Sequence, residues 1–344
     1  MKILVATSDV PFVEGGHRVI ARALASAFRE AGHEAEILTT PQNRFGRQFS
    51  AYLATRLTDV ELTGTAKQVD RLISLRYPSY VLKHPHHTCW LNHRMREYYD
   101  LWNQWTPQLS WKGKIKESVR RSLIRRADNY YLRHNVRRLL AQSKTVQKSL
   151  LQWGNIQSLV LYPPPPQREY RTDGYGDFIL SPARLTPLKR IPLLIEALAR
   201  TGAGRAVIIG DGPEKEKIDA LIRQHKLENR IEMPGHVTED QMVDLYARCR
   251  AVYYAPLNED YGLVTLEAFR SRKPVLTAID SGGPAELVQD GVNGCVFLPE
   301  PSELASRIER LFDNNSLAES MGSAGYESSR ATTWPQTVSK LLEE

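Results

Sequence analysis

Two carboxylates eight residues apart, Glu259 and Glu267, bracket the triplet Tyr261-Gly262-Leu263 where a strand-like apolar run passes into a helical pattern. A helix N-terminus exposes backbone N–H groups and carries the positive end of the helix dipole, and Gly262 lets an anion approach closely. The triplet therefore reads as a phosphate cradle. Each flanking carboxylate can accept paired hydrogen bonds from vicinal hydroxyls. Arg184 and Lys189 follow another strand-like run, five residues apart across a loop, a forked donor and a point charge suited to a diphosphate. A diphosphate flanked on both sides by hydroxyl-rich rings describes a sugar nucleotide.

Further candidates stand at the ends of other apolar runs. His93 closes Trp90-Leu91-Asn92, and Gly15-Gly16 heads the first helical pattern with His17 beside it. Gly210 opens Gly-Asp-Gly-Pro, Val237 ends Gly-His-Val, and Ser281-Gly282-Gly283-Pro284-Ala285-Glu286 follows a later run. The Gly-x-Gly at 210–212 is followed directly by Pro213, so it lacks the rest of the dinucleotide fingerprint. No Asp-x-Asp occurs, and the histidines at 84, 86, 87 and 93 with Cys89 lack regular zinc spacing, so no metal is expected.

In their order and spacing these motifs resemble the family-4 retaining glycosyltransferases of the GT-B fold, with Glu259 and Glu267 matching the E-x7-E signature and Arg184 and Lys189 the strand-end R-L-x-x-x-K. The resemblance implies that Glu259 contacts the transferred sugar, Glu267 the ribose, His93 the donor sugar, and Arg184 and Lys189 the leaving diphosphate. It places Gly15, Gly16, Gly210, Val237, Tyr261, Gly262 and Leu263 around the donor. Glu259, His93, Arg184 and Lys189 are the expected catalytic set. Asp260 stands where many members have glycine. The implied reaction is metal-independent transfer of a hexose-type sugar with retained configuration, with a nucleotide diphosphate sugar as co-substrate and no cofactor. The competing expectation is a noncatalytic nucleotide-sugar-binding protein of the same fold, which gives no physical reason to keep all four charged groups.

The elements that must position these residues follow from periodicity. At 344 residues the chain exceeds one ordinary core. Residues 2–6, 35–38, 72–75, 88–92, 139–142 and 158–161 are expected strands, and residues 19–31 make an amphipathic helix stopped at Gly32. Four prolines, 163–166, form a stiff spacer, after which strands are expected at 178–181, 206–209, 231–233, 251–254, 274–277 and 295–297. Strands alternating with helices mean parallel sheets, hence an α/β protein of two doubly wound Rossmann-like domains. The expected division is 1–162 (acceptor side), 163–170 (linker), 171–325 (donor side) and 326–344, a final helix returning to the first domain. Residues 41–70 and 94–112 show no clear period.

The net charge is +7, and residues 112–138 hold ten Lys and Arg against Glu117 and Asp128. Ile115, Val119, Leu123, Ala127 and Tyr130 or Tyr131 recur there at helical spacing, which predicts a cationic amphipathic helix, the alternatives being a docking face and a solvated helix that covers the domain. Such a helix suits an anionic or lipid-linked acceptor and a peripheral membrane contact in polysaccharide assembly. A nucleic-acid surface is not expected, because no RNA or DNA motif accompanies it. Cys89, Cys249 and Cys295 lack CxxC spacing, and no apolar run is long enough for a leader or a span, so the expected location is cytoplasmic, at the inner membrane face.

Overall fold

A computed structural model describes residues 1–9, 15–42, 46–64 and 66–343. It divides into two compact units, one of residues 1–164 with 332–344, the other of residues 165–331. The break falls inside the proline run. The second unit ends at 331 instead of 325 because the helix Asn315–Arg330 belongs to it: Gly325 lies against the Phe269 ring and Gly322 against the Arg272 carbonyl, so closely that a side chain at either would collide.

The first unit holds β1 (Lys2–Asp9), β2 (Glu34–Pro41), β3 (Arg71–Ser74), β4 (His87–Leu91), β5 (Arg138–Ala141) and β6 (Leu159–Val160) in one parallel sheet of order β2-β1-β3-β4-β5-β6. The second holds β7 (Phe178–Pro182), β8 (Arg205–Ile209), β9 (Ile231–Gly235), β10 (Ala251–Tyr253), β11 (Val275–Ala278) and β12 (Gly294–Phe297), ordered β12-β11-β10-β7-β8-β9 and likewise parallel. Every expected strand overlaps one of these. Strands covered on both faces must be apolar throughout, which makes them legible as short continuous runs.

The first unit's helices are α1 (Gly16–Glu30), α2 (Gln48–Arg56), α3 (Trp102–Trp105), α4 (Trp111–His134) and α5 (Lys144–Gly154). The second unit has α6 (Ile191–Leu198), α7 (Lys215–Gln224), α8 (Glu239–Arg248), α9 (Leu263–Arg270), α10 (Gly283–Leu287), α11 (Pro301–Asp313) and α12 (Asn315–Arg330). The last helix, α13 (Trp334–Leu342), packs in the first unit, where it touches α1. Trp334 meets the buried Trp90 of β4 edge-on at 6.5 Å, and Arg138 of β5 donates to the Lys340 and Glu343 carbonyls.

The apolar row of α4 does not pack inward. Ile115, Val119, Leu123 and Tyr130 are exposed, whereas Glu117, Ile124, Asp128 and Leu132 are buried. The inversion has a chemical cause: Asp128 accepts hydrogen bonds from the hydroxyls of Tyr52, Tyr80 and Tyr99, and Glu117 accepts from Tyr98 (2.8 Å) and Arg120. Carboxylates so satisfied can be buried, and the helix rotates to bury them. No helix of the described residues is long and apolar enough to cross a membrane.

Candidate active site

In doubly wound sheets ligands bind beyond the carboxyl ends of the strands, at the point where strand order reverses. In the second unit that point lies between β7 and β10. Lys189 follows β7 and Glu259 follows β10, and the structure joins them: Lys189 Nζ lies 2.9 Å from Glu259 Oε2 and donates at 2.9 Å to the Tyr254 hydroxyl. Burial opposes the Lys189 charge, but Glu259 and Tyr254 outweigh it, so the ammonium pKa is raised. Burial, with Glu259 adding to it, pushes the Tyr254 phenol up to about 12. Lys189 is thus held as the ammonium beside a neutral phenol.

The Glu259 loop is fastened from below. Glu259 N–H donates to Ser281 O (2.8 Å), and Gly283 N–H returns a bond to Glu259 O (2.8 Å). Gly282 has φ +71, and a Cβ there would overlap the Glu259 carbonyl, so glycine is required. Arg190 clamps the same region, bidentate to Asp280 (2.8 and 2.9 Å) and donating to the Ala255 and Pro256 carbonyls. Sequence reading passed over Arg190. Its only signal was adjacency to Lys189.

Gly262 caps α9 with φ +86 and, being glycine, offers no side-chain cap to the first amides of that helix. Tyr261 is buried, and Leu263 opens the helix. Glu267, one turn on, is held by Tyr246 (2.8 Å), by Tyr170 (3.3 Å) and by Arg168. Those three were also missed, since Arg168 lies 99 residues away from Glu267 in sequence. Burial lowers the Arg168 pKa, but Glu267, Tyr170 and Glu239 more than reverse this. Gly210, at φ +118, lets the end of β8 touch the Ala183 carbonyl. Val237 is half-buried just before α8. Arg184 is exposed, and among the described residues its side chain makes no hydrogen bond or ion pair.

The first unit's order reverses between β1 and β3. Gly15 caps α1, Gly16 begins it, and His17 follows. Gly15 has φ −144, so left-handed freedom is not why it is glycine; a Cβ there would press on the His17 ring at 2.9 Å. Burial, then the charges of Arg76 and Arg18, hold His17 down to about 3. His93 is two residues beyond β4, and its Nδ1 faces the Arg94 carbonyl. Burial and then Arg76 hold its pKa well below the usual value, and His17 lies within electrostatic reach. Both rings are neutral at pH 7. Of the other histidines, His84 bonds Val69 O (3.0 Å) and His87 bonds Ser74 Oγ (2.7 Å), each serving the sheet.

The family described as "Glycosyl transferases group 1" matches residues 167–328. An uncharacterized glycosyltransferase of Methanocaldococcus jannaschii is 27% identical over 62% of this chain and 61% of its own length. Human alpha-1,3/1,6-mannosyltransferase ALG2 is 29% identical over 37% of this chain and 30% of its own length. The chain thus matches less than two thirds of either relative. The Anabaena protein HepE, crystallised with UDP and glucose, superposes with a TM-score of 0.73 at 19% identity, covering 98% of this chain and 99% of that one. The fold is accordingly GT-B, and the match to the group 1 glycosyl transferases falls on the unit that carries Lys189, Glu259 and Glu267.

Proposed function

We propose that this protein is a retaining glycosyltransferase that moves a hexose-type sugar from a nucleotide diphosphate to an anionic or lipid-linked acceptor without a metal, at the cytoplasmic side of a membrane. The observation that carries the reading is the Lys189–Glu259 pair at the switch point of β7 and β10, with Glu267 held eight residues further on. Lys189 and Arg184 supply the positive charge that a departing diphosphate needs. Glu259 positions the sugar, Glu267 the ribose, and the Gly262 end of α9 receives phosphate. His93 and the Gly15-Gly16 turn are assigned to the sugar and phosphates from the first unit. The mannosyl transfer named for ALG2 and the UDP and glucose bound to HepE support a hexose donor.

On this reading the bond from the anomeric carbon to phosphate breaks as the bond to the acceptor oxygen forms on the same face. The acceptor proton passes to the leaving phosphate oxygen. Glu259, already paired with Lys189, stabilises charge and does not attack. The test is a thermal-shift screen of UDP-, GDP-, ADP- and TDP-sugars with and without EDTA, repeated on Lys189→Ala and Glu267→Ala. One nucleotide sugar should stabilise the protein regardless of chelator and lose its effect in the variants. A requirement for metal, or an inverted anomer in the product, would overturn the assignment.

A further inference from the structure

The outward face of α4 has a composition that its inward face explains. Trp111, Ile115, Val119, Leu123 and Tyr130 are 45–68% exposed, and at 100° per residue they fall on one side of the helix, a row about 28 Å long. Lys112, Lys116 and Arg126 fall on the same side, exposed, and none is in an ion pair among the described residues. The helix has two carboxylates, and both point the other way, Glu117 to Tyr98 and Arg120, Asp128 to its three tyrosines. Arg121 and Arg125, which belong to the same basic run, are also turned in: Arg121 lies over the Trp102 ring and donates to Tyr98 O, and Arg125 lies over Trp153 and donates to its carbonyl. What remains outside is cationic and apolar together, with no acid. Beside it α2, joined to α4 through Tyr52, carries a second exposed apolar row of Phe49, Leu53 and Leu57.

We infer that the outer faces of α4 and α2 are a docking surface for an anionic lipid bilayer. Side chains that alternate aliphatic groups with lysine and arginine suit an interface where the apolar tips enter the acyl boundary and the cations reach lipid phosphates. The Trp and Tyr near the two ends of the row are the residue types that settle at headgroup depth. A protein partner would favour an interface core poor in lysine, and a nucleic acid offers nothing to Ile115, Val119 and Leu123. Charge complementarity and the missing carboxylates therefore select the bilayer. The inference deepens the proposal of a lipid-borne acceptor, yet its test uses neither donor nor acceptor, so lipid binding and sugar transfer can fail separately.

The full chain is to be sedimented with vesicles of equimolar phosphatidylglycerol and phosphatidylcholine, and with pure phosphatidylcholine, at low and high salt. It should bind the mixed vesicles, lose most binding in salt, and bind the neutral ones poorly. Lys112→Gln/Lys116→Gln/Arg126→Gln should weaken binding on the order of tenfold to a hundredfold. Ile115→Ser/Val119→Ser/Leu123→Ser should weaken it at least about tenfold while removing the residual binding that survives salt. An unchanged melting temperature and unchanged nucleotide-sugar stabilisation would show that both variants are folded. Failure of the wild type to bind mixed vesicles, equal binding by the variants, or a self-association or RNA complex abolished by the same substitutions in place of lipid binding, would each overturn the inference.

Discussion

Two buried carboxylates, one in each unit, are caged by the same kinds of group and do different work. Asp128 sits in mid-helix on α4 under three tyrosine hydroxyls, sealed from solvent. Glu267 sits one turn into α9, the helix that follows the switch strand β10, and two tyrosines and Arg168 hold it. Arg168 also reaches the exposed Glu239 at 3.3 Å, so its grip is shared with the surface. One partner of Glu267 is thus shared with the surface, whereas Asp128 has only partners that the core supplies. On the proposed reading the lesson is positional: the same carboxylate chemistry serves the fold on α4 and a ligand on the helix that follows the switch strand.

Substituting Glu259 and Asp128 separates the two roles most sharply. Glu259→Ala should lower transfer by on the order of 10²–10³-fold while lowering the melting temperature less than Asp128→Ala does. Asp128→Ala strands three hydroxyls, costs about 3–5 kcal/mol and lowers the melting temperature by roughly 10 °C, with turnover per folded molecule retained. If Asp128→Ala were instead stable and inactive, the distinction would fail. Glu267→Gln should raise the donor KM by roughly tenfold, since Arg168 loses one of its two charge partners and ribose one of two acceptor oxygens; a pure kcat defect would contradict a ribose role. Gly282→Ala, forced into φ +71 against Glu259, should cost about 1–3 kcal/mol and weaken nucleotide-sugar stabilisation more than it lowers the melting temperature.

A further effect concerns acid. His17 has a folded pKa of about 3 against 6.5, so the unfolded chain binds its proton first. Its contribution to stability is full above pH 6.5 and is lost as pH falls towards 3. Melting temperatures of the wild type and His17→Asn should converge or cross over that window, and a constant difference would show that the ring does not titrate as its burial requires.

The strands, the proline break and the Glu259, Lys189 and Glu267 positions were legible because each is a local pattern: an apolar run, a spacer, a carboxylate spacing around a glycine. Arg190, Tyr254 and Tyr246 were not, because their partners come from other strands and helices, and no spacing encodes a contact made through the fold. The helix α4 was half legible. Its period is plain, but period alone assigns the apolar row to the core only when polar groups lack buried partners, and here Tyr52, Tyr80 and Tyr99 were waiting for Asp128. Residues 94–112 resisted reading because they are short turns held by ring contacts, Tyr98 with Trp102 and Trp105, and not by a repeating pattern.

The return of α13 to the first unit has a consequence for synthesis. Residues 165–331 are contiguous, so that unit can close as soon as they have left the ribosome. The first unit, although made earlier, still lacks Trp334 against Trp90 and the α13 carbonyls for Arg138. The part of the chain that is translated first is therefore the part that finishes last, and an apolar face near β4 stays uncovered while the whole second unit is being made.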